Sequence, residues 1–314
     1  MKSYLAIFSV LLLCLSSSGH SDEHHGKRAV LVTGASSGIG KEIALTLADQ
    51  GFFVYAGARK PDDIKALSEL PNTLGIRLDV TVQSDIDNAV KIVKQRGLGL
   101  YGLVNNAGVF LFDPLIEVSE QDMQFMMDVN LFGPYRVTKA FAPLIIEQKG
   151  RITTIGSIAG IVSSRLMGPY SMSKHAVEAF SESLSLELKK FDVQVSVVEP
   201  GNFRSDIMKN MKRRSDAKKN AESQSLFSAE IGNFANFAKE DRSQHLKPTP
   251  VADAVLQFMT AKQTQLRYMV APTASEAHFT IGKALGRVIE LNEGHEFALT
   301  RDQLVKLLDA QLEQ

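Results

Sequence analysis

Tyr170 and Lys174 stand four residues apart in the run Tyr-Ser-Met-Ser-Lys, with Ser157 thirteen residues upstream. Far ahead of them, Thr33 to Gly40 reads Thr-Gly-Ala-Ser-Ser-Gly-Ile-Gly. On a helix, positions i and i+4 share a face. A phenol and an ammonium held on one face make an acid–base pair, because a neighbouring positive charge favours the phenolate. With a glycine turn that lets backbone approach a pyrophosphate, the set describes a site that moves a hydride between a nicotinamide and a carbonyl or alcohol.

Such a site needs elements that bring three distant segments together. Apolar runs at residues 29–33, 52–58, 73–78, 100–104, 151–155, 193–198 and 267–270 predict seven strands. Between them, Ile43, Ala44, Leu47 and Ala48 recur at helical spacing until Gly51. Residues 61–70 read as a helix, and Ser84-Asp-Ile-Asp predicts a capped one carrying the stripe Ile86, Ala89, Val90, Val93 up to Gly97. Ser119-Glu-Gln-Asp caps a long predicted helix running towards Glu147, and a second long one spans residues 168–190. Further helical stretches fall at residues 248–260 and after the last strand.

Strands alternating with helices imply a parallel sheet covered on both faces, and the nearly continuous apolar character of the strands agrees. The expectation is an α/β fold: one Rossmann-type doubly wound parallel sheet with helices on both faces. A substrate lid follows at residues 202–245, within a domain spanning residues 27–314. Ligands in such sheets bind beyond the carboxyl ends of the strands, which is where every polar motif lies.

Gly34, Gly38 and Gly40 do not follow the G-x-G-x-x-G spacing. Their T-G-x-x-x-G-x-G pattern resembles the short-chain dehydrogenase/reductase superfamily. The match continues in order through Leu78-Asp79-Val80, Asn105-Asn106-Ala107-Gly108, Asn130, Ser157, Tyr170-x-x-x-Lys174 and Pro200-Gly201, over residues 28–206. The members most similar are those acting on retinol and hydroxysteroids, on the strength of Val-Glu-Pro-Gly before Asn202 and Val177-Glu-Ala-Phe-Ser-Glu-Ser-Leu.

The resemblance implies a catalytic set of Asn130, Ser157, Tyr170 and Lys174. Tyr170 is then the general acid for reduction and base for oxidation. A free phenol titrates near ~10, too high for an efficient base at neutral pH. Lys174 lowers it by charge and holds the ribose hydroxyls, Ser157 steadies the substrate oxygen, and Asn130, mid-helix, holds a water linking the lysine to solvent. Gly34, Ser36, Ser37, Gly38, Ile39 and Gly40 cradle the pyrophosphate. Asn105 and Asp79 border the adenosine side, and Val80, Asn106, Ala107 and Gly108 also bind the cofactor. Pro200-Gly201 bends under the nicotinamide, and Ser205 stands where the family has threonine.

Cofactor choice rests on the end of the second strand. An acid there bonds the ribose 2′-hydroxyl and repels a 2′-phosphate. This chain has Gly57-Ala58-Arg59, and Arg59 can meet a phosphate bidentately, so NADP(H) is expected over NAD(H). Phe203, Ile207, Met208 and Met211 suggest an apolar pocket for a lipophilic alcohol or carbonyl. The apolar surroundings of Phe125, Met126, Met127 and of Ala176, Ala179, Phe180 predict pairing through those helices into a homodimer or homotetramer. A non-catalytic NADP-binding sensor with the same site is the rival reading; a sugar-nucleotide epimerase has different glycine spacing.

Composition narrows the partners. Lys+Arg and Asp+Glu are 35 each in 314 residues, so no charge favours nucleic acid. Cys14 is the only cysteine, which rules out an intramolecular disulfide or a thiolate zinc site. Lys2 precedes an apolar run, residues 4–15, then Ser16-Ser17-Ser18-Gly19. That reads as a cleaved signal or as a short membrane-surface anchor, within an N-terminal segment of residues 1–26. The chain is thus expected to be exported or membrane-anchored. His20, His24 and His25 read as a solvated linker, and no metal site is expected. The basic run Lys209, Lys212, Arg213, Arg214, Lys218, Lys219 reads as a solvated face or lid.

Overall fold

The computed structural model describes residues 27–205, 207, 225–237 and 245–313. The N-terminal segment with Cys14 and the three histidines, the basic run, Met208 and Met211 lie outside the described residues. Seven parallel strands form one sheet in the order β3-β2-β1-β4-β5-β6-β7. They are β1 (Ala29–Val32), β2 (Phe53–Ala58), β3 (Thr73–Arg77), β4 (Gly102–Asn105), β5 (Arg151–Ile155), β6 (Gln194–Pro200) and β7 (Arg267–Val270). Order reverses beside β1, which pairs Val32 with Ala56 of β2 on one side and with Val104 of β4 on the other. A crevice opens at such a switch point.

The strands are buried on both faces, so each sends alternate side chains into separate cores. Val30 and Val32 pack with Ile43 and Leu47 of α1 (Gly38–Asp49). Val251, Val255 and Phe258 of α8 (Thr249–Thr260) complete that layer. Ala29 and Leu31 face the other way, onto Ile86, Ala89 and Val93 of α3 (Gln83–Arg96). Val137, Phe141 and Ile145 of α5 (Gly133–Glu147) join them there. The short α2 (Pro61–Ser68) covers β2 and β3.

Two helices depart from expectation. α3 begins at Gln83 with Val82 as its uncapped N-cap, so Ser84 lies inside the first turn. The carboxylate of Asp85 is turned back to accept the Asp79 amide at 3.0 Å, tying α3 to the end of β3. The predicted long helix after Ser119 does start at that cap, whose hydroxyl accepts from the Asp122 amide at 3.2 Å. It is not one regular helix, however. α4 (Glu120–Met127) passes through a π segment, Asp128–Phe132, into α5. Asn130 is therefore not on a regular α-helix. One widened turn re-aims its side chain, and such turns frequently mark functional positions.

α6 (Gly168–Leu188) carries the Tyr–Lys pair. After β6 come α7 (Ser228–Phe237), α8, β7, α9 (Ala274–Asn292) and α10 (Arg301–Leu312). The second half of α9 and all of α10 leave large apolar side chains in water, among them Leu285, Ile289, Leu308 and Leu312.

Candidate active site

Loops at the carboxyl ends of β1, β4, β5 and β6 converge on one cavity of about 540 Å³. Gly34, Ser36, Ser37, Gly38, Ile39, Gly40, Arg59, Asp79, Val80, Asn106, Ala107, Gly108, Ser157, Tyr170, Lys174, Pro200, Gly201 and Ser205 all line it. Of the described residues singled out from the sequence for catalysis or cofactor binding, Asn130 and Asn105 stand behind the wall. Phe203 and Ile207 also line the cavity.

The glycine turn is clasped from the β4 side. Asn106 Nδ2 donates to the carbonyls of Thr33 (2.9 Å) and Gly34 (3.1 Å), and the amides of Asn106 and Ala107 donate to Thr33 Oγ1. Asn106 therefore borders the cavity but spends its amide on the turn. A Cβ on Gly40 would collide with Asn106 Nδ2 and the Gly34 carbonyl, so only glycine fits. Ser37 caps α1 in position but makes no side-chain capping bond, and the first turn holds no acid. The first amides of α1 thus face the cavity without a competing anion, which suits a phosphate. These features fit a dinucleotide.

Asn105 corrects the expectation that it borders the adenosine. It is 2% exposed and turned inward, donating to Thr138 Oγ1 at 2.9 Å. Adjacent residues at a strand end point to opposite sides, and Asn106 took the cavity. Asp79 does border it, with Oδ1 accepting from the Thr81 amide and hydroxyl. Arg59 sits at the rim, 3.9 Å from Asp79 and 64% exposed.

Tyr170 and Lys174 come to one side of α6, both buried, with Lys174 Nζ 5.7 Å from the phenol ring centroid. Lys174 Nζ donates to the Ile155 carbonyl at 2.8 Å. Ser157 caps a short turn, accepting from the Ala159 amide at 3.1 Å, and its hydroxyl reaches the Pro200 carbonyl at 3.5 Å. Burial pushes the Tyr170 phenol up to about 12, against a hydrogen bond with Ser157 that pulls it down. Burial pushes Lys174 down to about 8, opposed by the charge of Glu178. The net shift is upward, contrary to the expected lowering: desolvation outweighs the Ser157 hydrogen bond, and the phenol keeps its proton at neutral pH.

Asn130 Oδ1 accepts from the Val109 amide (2.8 Å), while Nδ2 donates to the Val109 carbonyl (2.9 Å) and Ser173 Oγ (3.0 Å). Its side chain straps the loop after β4 onto α6, one residue from Lys174. That bonding occupies the side-chain amide on both its oxygen and its nitrogen.

Residues from farther along the chain complete the site. Phe110 meets the Tyr170 ring edge-on at 4.8 Å, and Phe234 of α7 stacks on Phe112 at 3.4 Å. Ser225 and the Leu226 amide hold the approach to α7 through Glu117, at 2.6 and 2.9 Å. Glu276 of α9 accepts the Asn202 amide at 2.8 Å, closing over Gly201. No local pattern marks these positions, because each acts on a segment far away in sequence.

Behind Lys174 lies a group of acids. Glu199, 1% exposed, stands beside Glu178, with Arg267 Nε 3.1 Å from Glu178 and 3.9 Å from Glu199. Burial, then the neighbouring Glu178, push Glu199 up from 4.5 to about 8. Between those values the folded chain keeps a proton that the unfolded chain has lost, so stability falls as pH rises from about 4.5 to about 8. Glu199→Gln, neutral throughout, is expected to flatten this decline in thermal melts across that range; an unchanged slope would contradict the assignment.

A family model described as short chain dehydrogenase matches residues 28–216. The NADPH-dependent 3-dehydrocapnine reductase of Ornithobacterium rhinotracheale is 33% identical over 256 residues, covering 78% of this chain and 88% of that protein. Retinol dehydrogenase 5 of Mus musculus is 40% identical over 186 residues, covering 57% of each. The solved structure of a short-chain dehydrogenase from Streptomyces avermitilis superposes with a TM-score of 0.71 at 28% identity, over 85% of this chain and 96% of that one. With its sheet order and more than half its length matched, this chain belongs to the short chain dehydrogenase family and is an oxidoreductase acting on alcohols or carbonyls.

Proposed function

We infer that the protein is an NADP(H)-dependent oxidoreductase interconverting an alcohol and a carbonyl on a lipophilic substrate. The observation that carries this reading is the convergence of buried Tyr170, Ser157 and Lys174 on one cavity walled by Phe110 and Phe234. When bound, the nicotinamide supplies or accepts the hydride. Tyr170 Oη gives its proton to the substrate oxygen, Ser157 Oγ hydrogen-bonds that oxygen, and the Lys174 ammonium stabilises the phenolate left behind. The aromatic wall excludes water and favours apolar substituents on the carbonyl. Retinol dehydrogenase 5, by its name, acts on such a molecule.

For the cofactor, Arg59 takes the 2′-phosphate. β2 ends without an acid, and the Arg77 guanidinium, itself paired with Asp85 at 3.2 Å, braces the Arg59 carbonyl at 2.8 Å. The relative whose name specifies NADPH agrees. Initial rates over steroid, retinoid, aliphatic and sugar carbonyls test both parts. NADPH should outperform NADH on the apolar members. Arg59→Ala should raise KM for NADPH by about 10–100-fold and leave that for NADH within about threefold. Turnover of sugars alone, or equal kcat/KM with both cofactors, would contradict the reading.

The protein assembles as a homodimer or homotetramer through the helices bearing Asn130 and Tyr170. Phe132 and Tyr135 beside the π segment, and Met172 and Leu186 on α6, lie about half or more exposed, as side chains awaiting a second copy would. A monomeric mass by light scattering at micromolar concentration would remove this. Residues 27–314 form the catalytic domain, with the lid at 202–245. Residues 1–26 direct export or anchor the chain at a membrane surface, and N-terminal sequencing of native protein distinguishes the two. Among the described residues no helix is long and apolar enough to cross a membrane.

A further inference from the structure

We propose that Glu178, with Glu199 and Arg267, is a positioning set that keeps Lys174 in its ammonium form, the two carboxyls sharing one buried proton. The inference rests on the reading of Lys174 given above. Glu178 is four residues beyond Lys174 on α6, so the two share a face. Glu199 is the last residue but one of β6, immediately before Pro200, whose carbonyl meets Ser157. Arg267 comes from β7 and is held by Glu178 and, at 2.9 Å, by Glu182.

Three acids surround one guanidinium, and one of them is 1% exposed. Glu182 and Arg267 reach solvent, whereas Glu178 is 12% and Glu199 1% exposed. Full ionisation would crowd two carboxylates into a largely dry space beside one half-exposed guanidinium, which is costly. Glu178 Oε1 and Glu199 Oε1, both shielded from water, find no donor among the described residues. A proton held between the two carboxyls satisfies both oxygens at once and leaves one net negative charge shared by the pair. That charge faces Lys174, whose own burial would otherwise strip its proton near neutrality.

Other charged and titratable groups around Lys174 do not supply this. Tyr170 is neutral. Glu276 of α9 is committed to the Asn202 amide. Arg287 of α9 contacts His175 on α6 at 3.2 Å and could only oppose an ammonium. The β5 contribution is the neutral Ile155 carbonyl. Glu199 adds a second effect. As pH rises it loses its proton in the same range as Lys174 would, and the new negative charge delays that loss.

The test is the pH profile of kcat/KM for NADPH-driven carbonyl reduction, which reports groups of the free enzyme. The alkaline limb in the unaltered enzyme marks Lys174. Glu178→Gln should move that limb down by about one pH unit, and Glu199→Gln should move it down by less. Uniformly reduced kcat/KM with the limb unmoved in both variants would mean a structural role only and overturn the proposal. So would a limb that moves up. Glu199→Gln is isosteric with the protonated acid, so it reports even if Glu178→Gln does not fold. Tyr170→Phe separates the two levels. If it retains turnover, the catalytic reading fails; if it is inactive while the limbs coincide, only this inference fails.

Discussion

Tyr170→Phe lowers kcat for carbonyl reduction by about 10³-fold while the dissociation constant for NADPH stays within a few-fold. The phenol lines the cavity from α6, buried and hydrogen-bonded to Ser157, and keeps its proton at neutral pH. Its ring packs edge-on against Phe110, and phenylalanine keeps that contact, so the loss is of the proton and not of the wall. Stopped-flow turnover and fluorescence titration with NADPH measure the two quantities. A variant that keeps a tenth of wild-type kcat would end the assignment of Tyr170 as the proton donor. A protein that senses NADP(H) without chemistry would keep its output in this variant, which separates the rival reading.

Gly40→Ala is expected to weaken dinucleotide binding by at least about 30-fold and to lower the melting temperature by several degrees. The added Cβ meets two groups that cannot yield separately. The Gly34 carbonyl is backbone, and Asn106 Nδ2 is pinned by the Thr33 and Gly34 carbonyls. Relief requires the clasp between the β1 and β4 turns to open. Overpacking of this kind costs about 1–3 kcal/mol, or roughly 2–10 °C in a domain of this size. The same opening displaces the first amides of α1 from the phosphate position. Calorimetric melts and NADPH titration check both. Wild-type values in each would show that the turn tolerates a side chain and that its glycines are not there for close approach.

Much of this site was readable from residue order. The Tyr170–Lys174 spacing needs only helical periodicity to bring both side chains to one face, and the glycine turn needs only a strand before and a helix after. The alternation of apolar strands with striped helices implied a parallel sheet, and a parallel sheet carries its ligands at the carboxyl ends of its strands. These are local or near-local constraints, so sequence alone determined the architecture, the cavity's position and most of its lining.

Other features depend on which segments meet in space. Asn105 and Asn106 are the same residue type, and only the strand's final orientation sends one into the core and the other to the cavity. At the π segment the Asn130 amide reaches both Val109 and Ser173, partners far from it in sequence. Phe234 and Glu276 reach the cavity from helices far along the chain. The direction of the Tyr170 shift belongs here too. Spacing puts an ammonium one turn from a phenol, but only enclosure decides how much water each loses, and for Tyr170 desolvation is the largest influence. Covalent order set the chemistry available to this protein, whereas burial, a property of the packed molecule, set the protonation states in which that chemistry starts.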